Sequence, residues 1–288
     1  MKRMVATVTC FALTFVLAIA GFAGVAQAQD EMTLDGSTTV GPIAKAFAEY
    51  YMKQNPGVTI TISESGSGNG AKSLINGTCD IANMSRFMKD SEFAAAIEKG
   101  VTPVAHVVAM DGIAIIVHPA NPVSALTVEQ VHDIYAGKIT NWNQVGGPDK
   151  NIVVVSRDTN SGTFETFEGL VMKGERLTES AEYVGSNGAA RQRIQSTAGA
   201  IGYVGLGFVD ESVKALEING VAATNETIAS GAYPVARPLY MFTNGYPKLG
   251  SNVHRFITLY LTPKGQEIVS GIGFVPLTRY QAAAGSSK

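Results

Sequence analysis

The chain has few cysteines and no excess of charge of either sign. Cys10 and Cys79 are the two cysteines, and the 22 Lys and Arg residues nearly balance the 24 Asp and Glu residues. No run of five like charges occurs anywhere in the 288 residues. Because binding to DNA or RNA depends on clustered positive charge, we expect no nucleic-acid partner.

The signature motifs of common enzyme classes are also missing. The four histidines show neither H-x-x-x-H nor H-E-x-x-H spacing, so no metal site is predicted. The phosphate-binding motifs G-x-x-x-x-G-K-[ST] and G-x-G-x-x-G are absent, and Ser67 and Ser161 lack the glycines two residues before and two residues after that a hydrolase nucleophile requires. The sequence therefore predicts a protein that is not an enzyme and needs no cofactor.

A long hydrophobic run occurs only at the N-terminus. Lys2 and Arg3 precede an apolar segment of about residues 10 to 25, which Ala26-Gln27-Ala28 follows. This is the pattern of a signal peptide, and the run is shorter than the ~20 residues of a membrane anchor. We expect cleavage near Ala28 and export to a bacterial periplasm, which leaves Cys79 as a single thiol, buried and unreactive.

Strands and helices alternate along the rest of the chain. Strands are predicted at 31–34, 58–63, 80–82, 152–156, 200–204 and 236–242, and helices at 43–51, 71–76, 90–99, 127–135, 160–172, 253–261 and 263–270. Residues 101–117 contain two β-rich stretches, with a predicted break at Asp111-Gly112. Residues 101–117 and 236–242 are interpreted as the two connections between lobes.

This alternation predicts an α/β fold with two lobes, each a mostly parallel sheet flanked by helices. The predicted division has four segments: residues 1–28 as the signal peptide, 29–112 as the first part of lobe I, 113–235 as lobe II, and 236–288 as the segment that returns to lobe I. Trp142 lies near Gly137 in a helix–loop corner, and a packing role is favoured over a sugar platform.

Three loops rich in serine, threonine and glycine each lie between a strand and a helix. They are Ser37-Thr38-Thr39, the segment around Ser67, and Ser161-Gly162-Thr163. Hydroxyls and backbone N–H groups at the positive end of a helix favour anions, and glycine lets a ligand approach the backbone. A single loop of this kind is ordinary helix capping, but three at the carboxyl ends of strands indicate an anion site.

Two arginines strengthen this interpretation. Arg86 follows Ser85 after a predicted strand, and Arg157 follows another strand directly. The guanidinium fork matches a tetrahedral oxyanion, although a position on the surface or a pair with Asp80 or Asp158 is an alternative for either arginine.

Several longer motifs resemble the phosphate-binding proteins of bacterial phosphate ABC transporters. The resemblance spans nearly all of the chain after the signal peptide, and it is most specific at residues 137–142 and 157–163. The motifs that carry it lie at residues 34–42, 66–70, 80–86, 134–142 and 156–163.

The resemblance implies a hinged periplasmic receptor that holds inorganic phosphate between two lobes and delivers it to ABC permease subunits. Such a receptor works as a monomer and meets the membrane only through the permease. The matching motifs assign the binding of the anion to seven residues, namely Thr38, Thr39, Ser67, Arg157, Ser161, Gly162 and Thr163. With the residues singled out above, the complete predicted set is Ser37, Thr38, Thr39, Ser67, Ser85, Arg86, Arg157, Ser161, Gly162 and Thr163.

One position departs from the family pattern. Many members have an aspartate where Ser85 stands, and that carboxylate accepts the proton of hydrogen phosphate and repels sulfate. The acceptor here would have to come from elsewhere, with Asp111 and Asp158 as candidates. Sulfate or another oxyanion therefore remains an alternative ligand. Adhesion or signalling on the same scaffold is a further alternative, and hydrolysis of phosphate esters ranks last.

Overall fold

A computed structural model describes residues 30–277 of the chain. The signal peptide expected at residues 1–28 lies outside the described residues. None of the helices between residues 30 and 277 has the length and apolar character needed to cross a membrane.

Eleven strands and nine α-helices alternate through this part of the chain. The strands are β1 (Asp30–Gly36), β2 (Val58–Ser63), β3 (Ile81–Met84), β4 (Pro103–Val117), β5 (Ala125–Leu126), β6 (Val153–Arg157), β7 (Glu182–Val184), β8 (Ala200–Gly205), β9 (Lys214–Ala215), β10 (Glu217–Ile218) and β11 (Ala236–Asn244). The helices are α1 (Gly41–Gln54), α2 (Ser67–Ile75), α3 (Asp90–Glu98), α4 (Val128–Tyr135), α5 (Gly162–Phe167), α6 (Asn187–Gln195), α7 (Asn225–Ala229), α8 (Asn252–Ile257) and α9 (Pro263–Gly271). A π-helical turn, Glu168–Met172, extends α5 to the end of the helix predicted from the sequence.

Most strands belong to one long sheet with the order β2-β1-β3-β11-β4-β8-β6-β7, and β9 also pairs with β4. At one end β1 runs parallel to β2 and β3, and at the other β6 runs parallel to β7 and β8. In the middle, β4 and β11 run antiparallel to each other and to their outer neighbours. The two parallel regions with their helices are the two lobes, so the predicted fold class is confirmed.

The long strand β4 passes from one lobe to the other without interruption, so the predicted break at Asp111-Gly112 was wrong. It pairs with β11 as far as Gly112 and with β8 from Ile113 onward. The sequence Asp111-Gly112 is typical of a turn, but Asp111 is buried in an ion pair with Arg237 of β11. A side chain at Gly112 would come within 2.5 Å of Ile228, so the glycine serves close packing and not a turn.

Each lobe has its own hydrophobic core. Beneath β1 and β2 of the first lobe, Leu34 and Phe47 pack with Phe256 from α8. In the second lobe Tyr135, Phe167 and Tyr203 pack together, and the last two rings stack with their centroids 4.1 Å apart.

The two packing predictions for single residues are confirmed. Trp142 is fully buried in the second lobe and donates a hydrogen bond from Nε1 to the Gly199 carbonyl over 2.9 Å. Cys79 is a buried free thiol in the first lobe, and burial raises its pKa to about 12.

Candidate anion-binding site

The three hydroxyl-rich loops converge where the lobes face each other. Ser37, Thr38 and Thr39 connect β1 to α1, and Ser67 begins α2. From the second lobe, Ser161 caps α5 by accepting a 3.2 Å hydrogen bond from the Phe164 N–H. Each loop follows the carboxyl end of a strand, so parallel strands bring hydroxyls and helix N-termini to a common edge.

Two glycines allow the lobes to approach this closely. Gly66 has φ near +100°, and a side chain there would meet the Asn160 carbonyl of the second lobe at 2.8 Å. A side chain at Gly162 would lie 2.5 Å from the Ser67 hydroxyl and 2.7 Å from that of Ser85. Glycine is therefore required at both places for the α2 and α5 N-termini to meet.

The convergent residues enclose a cavity of about 130 Å³. This space is far too small for the organic ligands that typical pockets hold, so a small ion is the occupant that suits it. Nine of the ten sequence-predicted residues line the cavity, and Gly66 completes its wall. The full lining is Ser37, Thr38, Thr39, Gly66, Ser67, Ser85, Arg157, Ser161, Gly162 and Thr163.

Arg157 supplies the positive charge of the cavity. Its side chain, only 1% exposed, donates from Nε to the Val184 carbonyl and from Nη2 to the Gly185 carbonyl and the Thr38 hydroxyl, at 3.1, 3.0 and 3.3 Å. Its Nη1 is buried without a hydrogen-bond partner, and Arg157 forms no ion pair within residues 30–277. Burial lowers the pKa of Arg157 to about 10.

Arg86, the tenth predicted residue, lies outside the cavity. Its guanidinium forms a bidentate pair with Glu92, at 2.7 and 2.8 Å, and a second ion pair with Glu165. Both carboxylates are largely buried with it, so the charge of Arg86 is already compensated. The capping position of Glu92 on α3 brings that carboxylate back toward Ser85-Arg86, a local contact that the sequence pattern did not reveal.

Neither candidate acceptor lines the cavity. Asp111 is completely buried and accepts from Arg237 and from the Leu206 N–H. Burial raises the pKa of Asp111, and the adjacent Arg237 opposes that rise. Asp158, next to Arg157 in the chain, is partly exposed and is not among the cavity residues.

Two residues behind the cavity wall escaped the sequence analysis. Asn187 at the start of α6 is fully buried and donates from Nδ2 to the hydroxyls of Thr38 and Thr39, at 3.0 and 2.9 Å. Arg237 of β11 donates from Nη2 to the Thr163 hydroxyl at 2.9 Å. Ser186-Asn187-Gly188 is a fourth polar loop between a strand and a helix, so Asn187 had a usable signal. For Arg237, the sequence signal was limited to its position within an apolar strand.

A small enclosure lined by hydroxyls, helix N-termini and one uncompensated arginine is suited to a compact tetrahedral anion. A model of the PBP superfamily domain matches residues 23–263. The chain is also 34% identical to the phosphate-binding protein PstS of Staphylococcus saprophyticus over 93% of this chain and 87% of that one. The chain belongs to the PBP superfamily and to the PstS family within it.

Solved structures agree with the family assignment. A protein from Clostridium perfringens, assigned as a phosphate ABC transporter substrate-binding protein and solved with bound phosphate, is 36% identical, with a TM-score of 0.81. The match covers 86% of this chain and all of that one. An ABC-type phosphate transport receptor from Vibrio cholerae is 33% identical, with a TM-score of 0.70 and coverage of 85% and 99%. The family is one of substrate-binding proteins that act outside the cytoplasm, as the sequence analysis predicted.

Proposed function

We propose that this protein captures inorganic phosphate in the cavity between its lobes and delivers it to the permease subunits of an ABC transporter. The nine predicted residues that line the cavity are the proposed ligands. Arg86 is not proposed as a ligand, because two carboxylates already hold its guanidinium.

The unpartnered Nη1 of Arg157 is the observation that carries this proposal. A buried cation without a counter-charge is costly, and its energy improves greatly when an anion enters beside it. Ser37 and Thr38 line the same cavity as this guanidinium, which donates to the Thr38 hydroxyl. An oxyanion in the cavity would supply both the missing charge and the missing hydrogen-bond acceptor.

Binding and release require the lobes to separate, since every lining residue is buried in this closed arrangement. We place the lobe boundaries at residues 112/113 and 235/236, with residues 29–112 and 236–288 in lobe I and 113–235 in lobe II. The change of partner in β4 between Gly112 and Ile113 supports the first boundary. The first pair of the β4–β11 ladder, Gly112 with Ala236, supports the second. These two strands would form the hinge.

We further propose that the protein works as a monomer in the periplasm after cleavage near Ala28. The family supports a location outside the cytoplasm and a permease as partner. The A-x-A pattern at residues 26–28 supports the cleavage site.

Sulfate is a second candidate ligand because no carboxylate lines the described cavity. A carboxylate would repel a fully ionised anion and accept the proton of hydrogen phosphate, and neither effect operates directly here. Action by binding, without catalysis, is favoured because no histidine is among the lining residues to serve as a base for a serine. Adhesion or signalling on this scaffold has no observation in its favour.

Calorimetric titration of the mature protein with phosphate, sulfate and arsenate tests the proposal, together with an assay for phosphate-ester turnover. We expect phosphate to bind at one site per chain, with no turnover. Absence of phosphate binding, or tighter binding of sulfate, would contradict phosphate as the ligand. Turnover abolished by Ser67→Ala would instead favour a hydrolase.

A further inference from the structure

The hydroxyls that line the cavity have partners of different kinds on its two sides. A serine or threonine hydroxyl has one proton to donate and two acceptor sites. A hydroxyl whose acceptor sites are both filled by the protein can only donate to a ligand. The hydrogen bonds around the cavity therefore define what each hydroxyl can offer an anion.

Asn187 is fixed with its amide nitrogen toward the cavity wall. Its Oδ1 accepts from the Gly205 N–H at 3.2 Å, so the reversed amide would set two donors against each other. Its Nδ2 therefore donates to Thr38 and Thr39. The Thr38 hydroxyl also accepts from Arg157, which fills both of its acceptor sites.

Arg237 acts on the opposite lobe's threonine in the same way. Asp111 holds its guanidinium through Nε and Nη2, at 3.1 and 2.9 Å, and Nη2 also donates to Thr163. The hydroxyls of Thr163 and Thr39 are 3.0 Å apart and share one proton between them. One hydroxyl proton of this pair remains for the cavity.

We infer that Asn187 and Arg237 are positioning residues that fill acceptor sites of Thr38 and of the Thr39–Thr163 pair, and so fix the Thr38 hydroxyl and one hydroxyl of that pair as donors to the bound oxyanion. The inference rests on the proposed function. Ser37 adds a further fixed donor, because its hydroxyl accepts from the N–H groups of Thr39 and Val40, at 3.0 and 3.2 Å. This side of the cavity is a donor wall, formed by Ser37, Thr38, Thr39 and Thr163.

Ser67 and Ser85 are not fixed in this way. The Ser67 hydroxyl accepts from the Ser85 N–H at 3.0 Å, and the two hydroxyls are 3.3 Å apart. This pair keeps spare acceptor sites, so it can accept a proton as well as donate one. Hydrogen phosphate would therefore bind with its protonated oxygen toward Ser67 and Ser85 and its ionised oxygens toward the donor wall.

A comparison of the affinities for phosphate and sulfate at pH 8 distinguishes a positioning role of Asn187 from a merely structural one. Both anions are then mainly dianions, so long-range electrostatics are matched and the P–OH proton distinguishes them. In Asn187→Leu, which keeps a similar volume, Thr38 and Thr39 regain acceptor sites. We expect both affinities to fall at least tenfold, with sulfate falling more, so that the phosphate-to-sulfate affinity ratio rises at least threefold.

Asn121→Leu is the matched control, because Asn121 is also a buried asparagine but contacts the Val123 N–H, outside the cavity lining. It should leave the ratio unchanged. Equal losses for both anions in Asn187→Leu would overturn the inference while leaving phosphate as the ligand. Failure of the unchanged protein to bind phosphate would overturn the proposed function itself.

A measurement on the unchanged protein covers the case in which Asn187→Leu does not fold. Neutron diffraction of crystals grown with phosphate and D₂O locates hydroxyl deuterons directly. We expect the deuterons of Ser37 and Thr38 to point at phosphate oxygens. A Thr38 deuteron directed at Asn187 would overturn the inference.

Discussion

Arg157 and Arg86 have similar sequence contexts and opposite environments. Arg86 lies two residues after β3 and Arg157 ends β6, both directly follow a serine in the chain, and both are at most 9% exposed. Arg86 lies between the carboxylates of Glu92 and Glu165, whereas Arg157 has only neutral partners and one unpartnered nitrogen. A buried arginine is available to a ligand only where the fold has not already supplied its counter-charge.

The largest expected effect on stability is at the compensated arginine, Arg86. Arg86→Met leaves the buried carboxylates of Glu92 and Glu165 without their main partner, so the free energy of unfolding should fall by about 3 kcal/mol. Urea denaturation of the ligand-free protein measures this change. Arg191→Met removes an exposed pair with Asp210 and should cost less than about 1 kcal/mol. A similarly small loss in Arg86→Met would show that Arg86 is not needed to compensate those carboxylates.

Removing Arg157 should have a small effect on stability and a large effect on phosphate affinity. Arg157→Met leaves no carboxylate unpaired, so we expect the ligand-free protein to lose less than about 1 kcal/mol of stability. Phosphate affinity should fall by roughly two orders of magnitude or more, which corresponds to about 2–4 kcal/mol. Calorimetry measures the affinity, and Arg191→Met again serves as control. Unchanged phosphate affinity in folded Arg157→Met would remove this residue from the site.

The ion pairs of Glu165 connect the two lobes and should influence opening. Glu165 of α5 pairs with Arg86 and, at 2.9 Å, with Lys89 of the first lobe. Glu165→Gln weakens this link, so phosphate should dissociate faster by about threefold to tenfold, a change of roughly 1 kcal/mol. Stopped-flow measurement of phosphate release tests this expectation. Glu182→Gln, which disturbs a pair with Arg193 inside the second lobe, should not alter the rate. Equal rates in Glu165→Gln and the unchanged protein would argue against an effect on opening.

The smallest effect is expected at Cys79, which does not line the cavity. Because burial raises the pKa of its thiol to about 12, the thiolate fraction at pH 8 is only about one in ten thousand. A thiol reagent should label the native protein at least a hundredfold more slowly than the urea-unfolded chain. Cys79→Ser should keep full phosphate affinity. Rapid labelling of native protein would show that the thiol is accessible.

The hydrophobic patterns predicted the longer elements well because they reflect local packing, but β7, α6 and α7 of the second lobe were not predicted. The alternation at residues 58–63 and the helical spacing of Ile43 and Phe47 correspond to β2 and α1. The break predicted at Asp111-Gly112 was wrong, since its polar and flexible residues were read as exposed. An arginine more than a hundred residues away, Arg237, keeps that strand continuous by pairing with Asp111.

The sequence alone determined the α/β architecture and most of the cavity lining, because strand-to-helix loops carry hydroxyls and glycines in recognisable local patterns. It could not separate Arg157 from Arg86, whose difference lies in the distant Glu165 and the capping geometry of Glu92. Nor could it assign the donor wall, where Asn187 and Arg237 reach Thr38, Thr39 and Thr163 from other elements. Local patterns specify which groups a loop offers. Only the tertiary structure decides which charges are compensated and which hydroxyl acceptor sites are filled, because both depend on contacts between residues far apart in the chain.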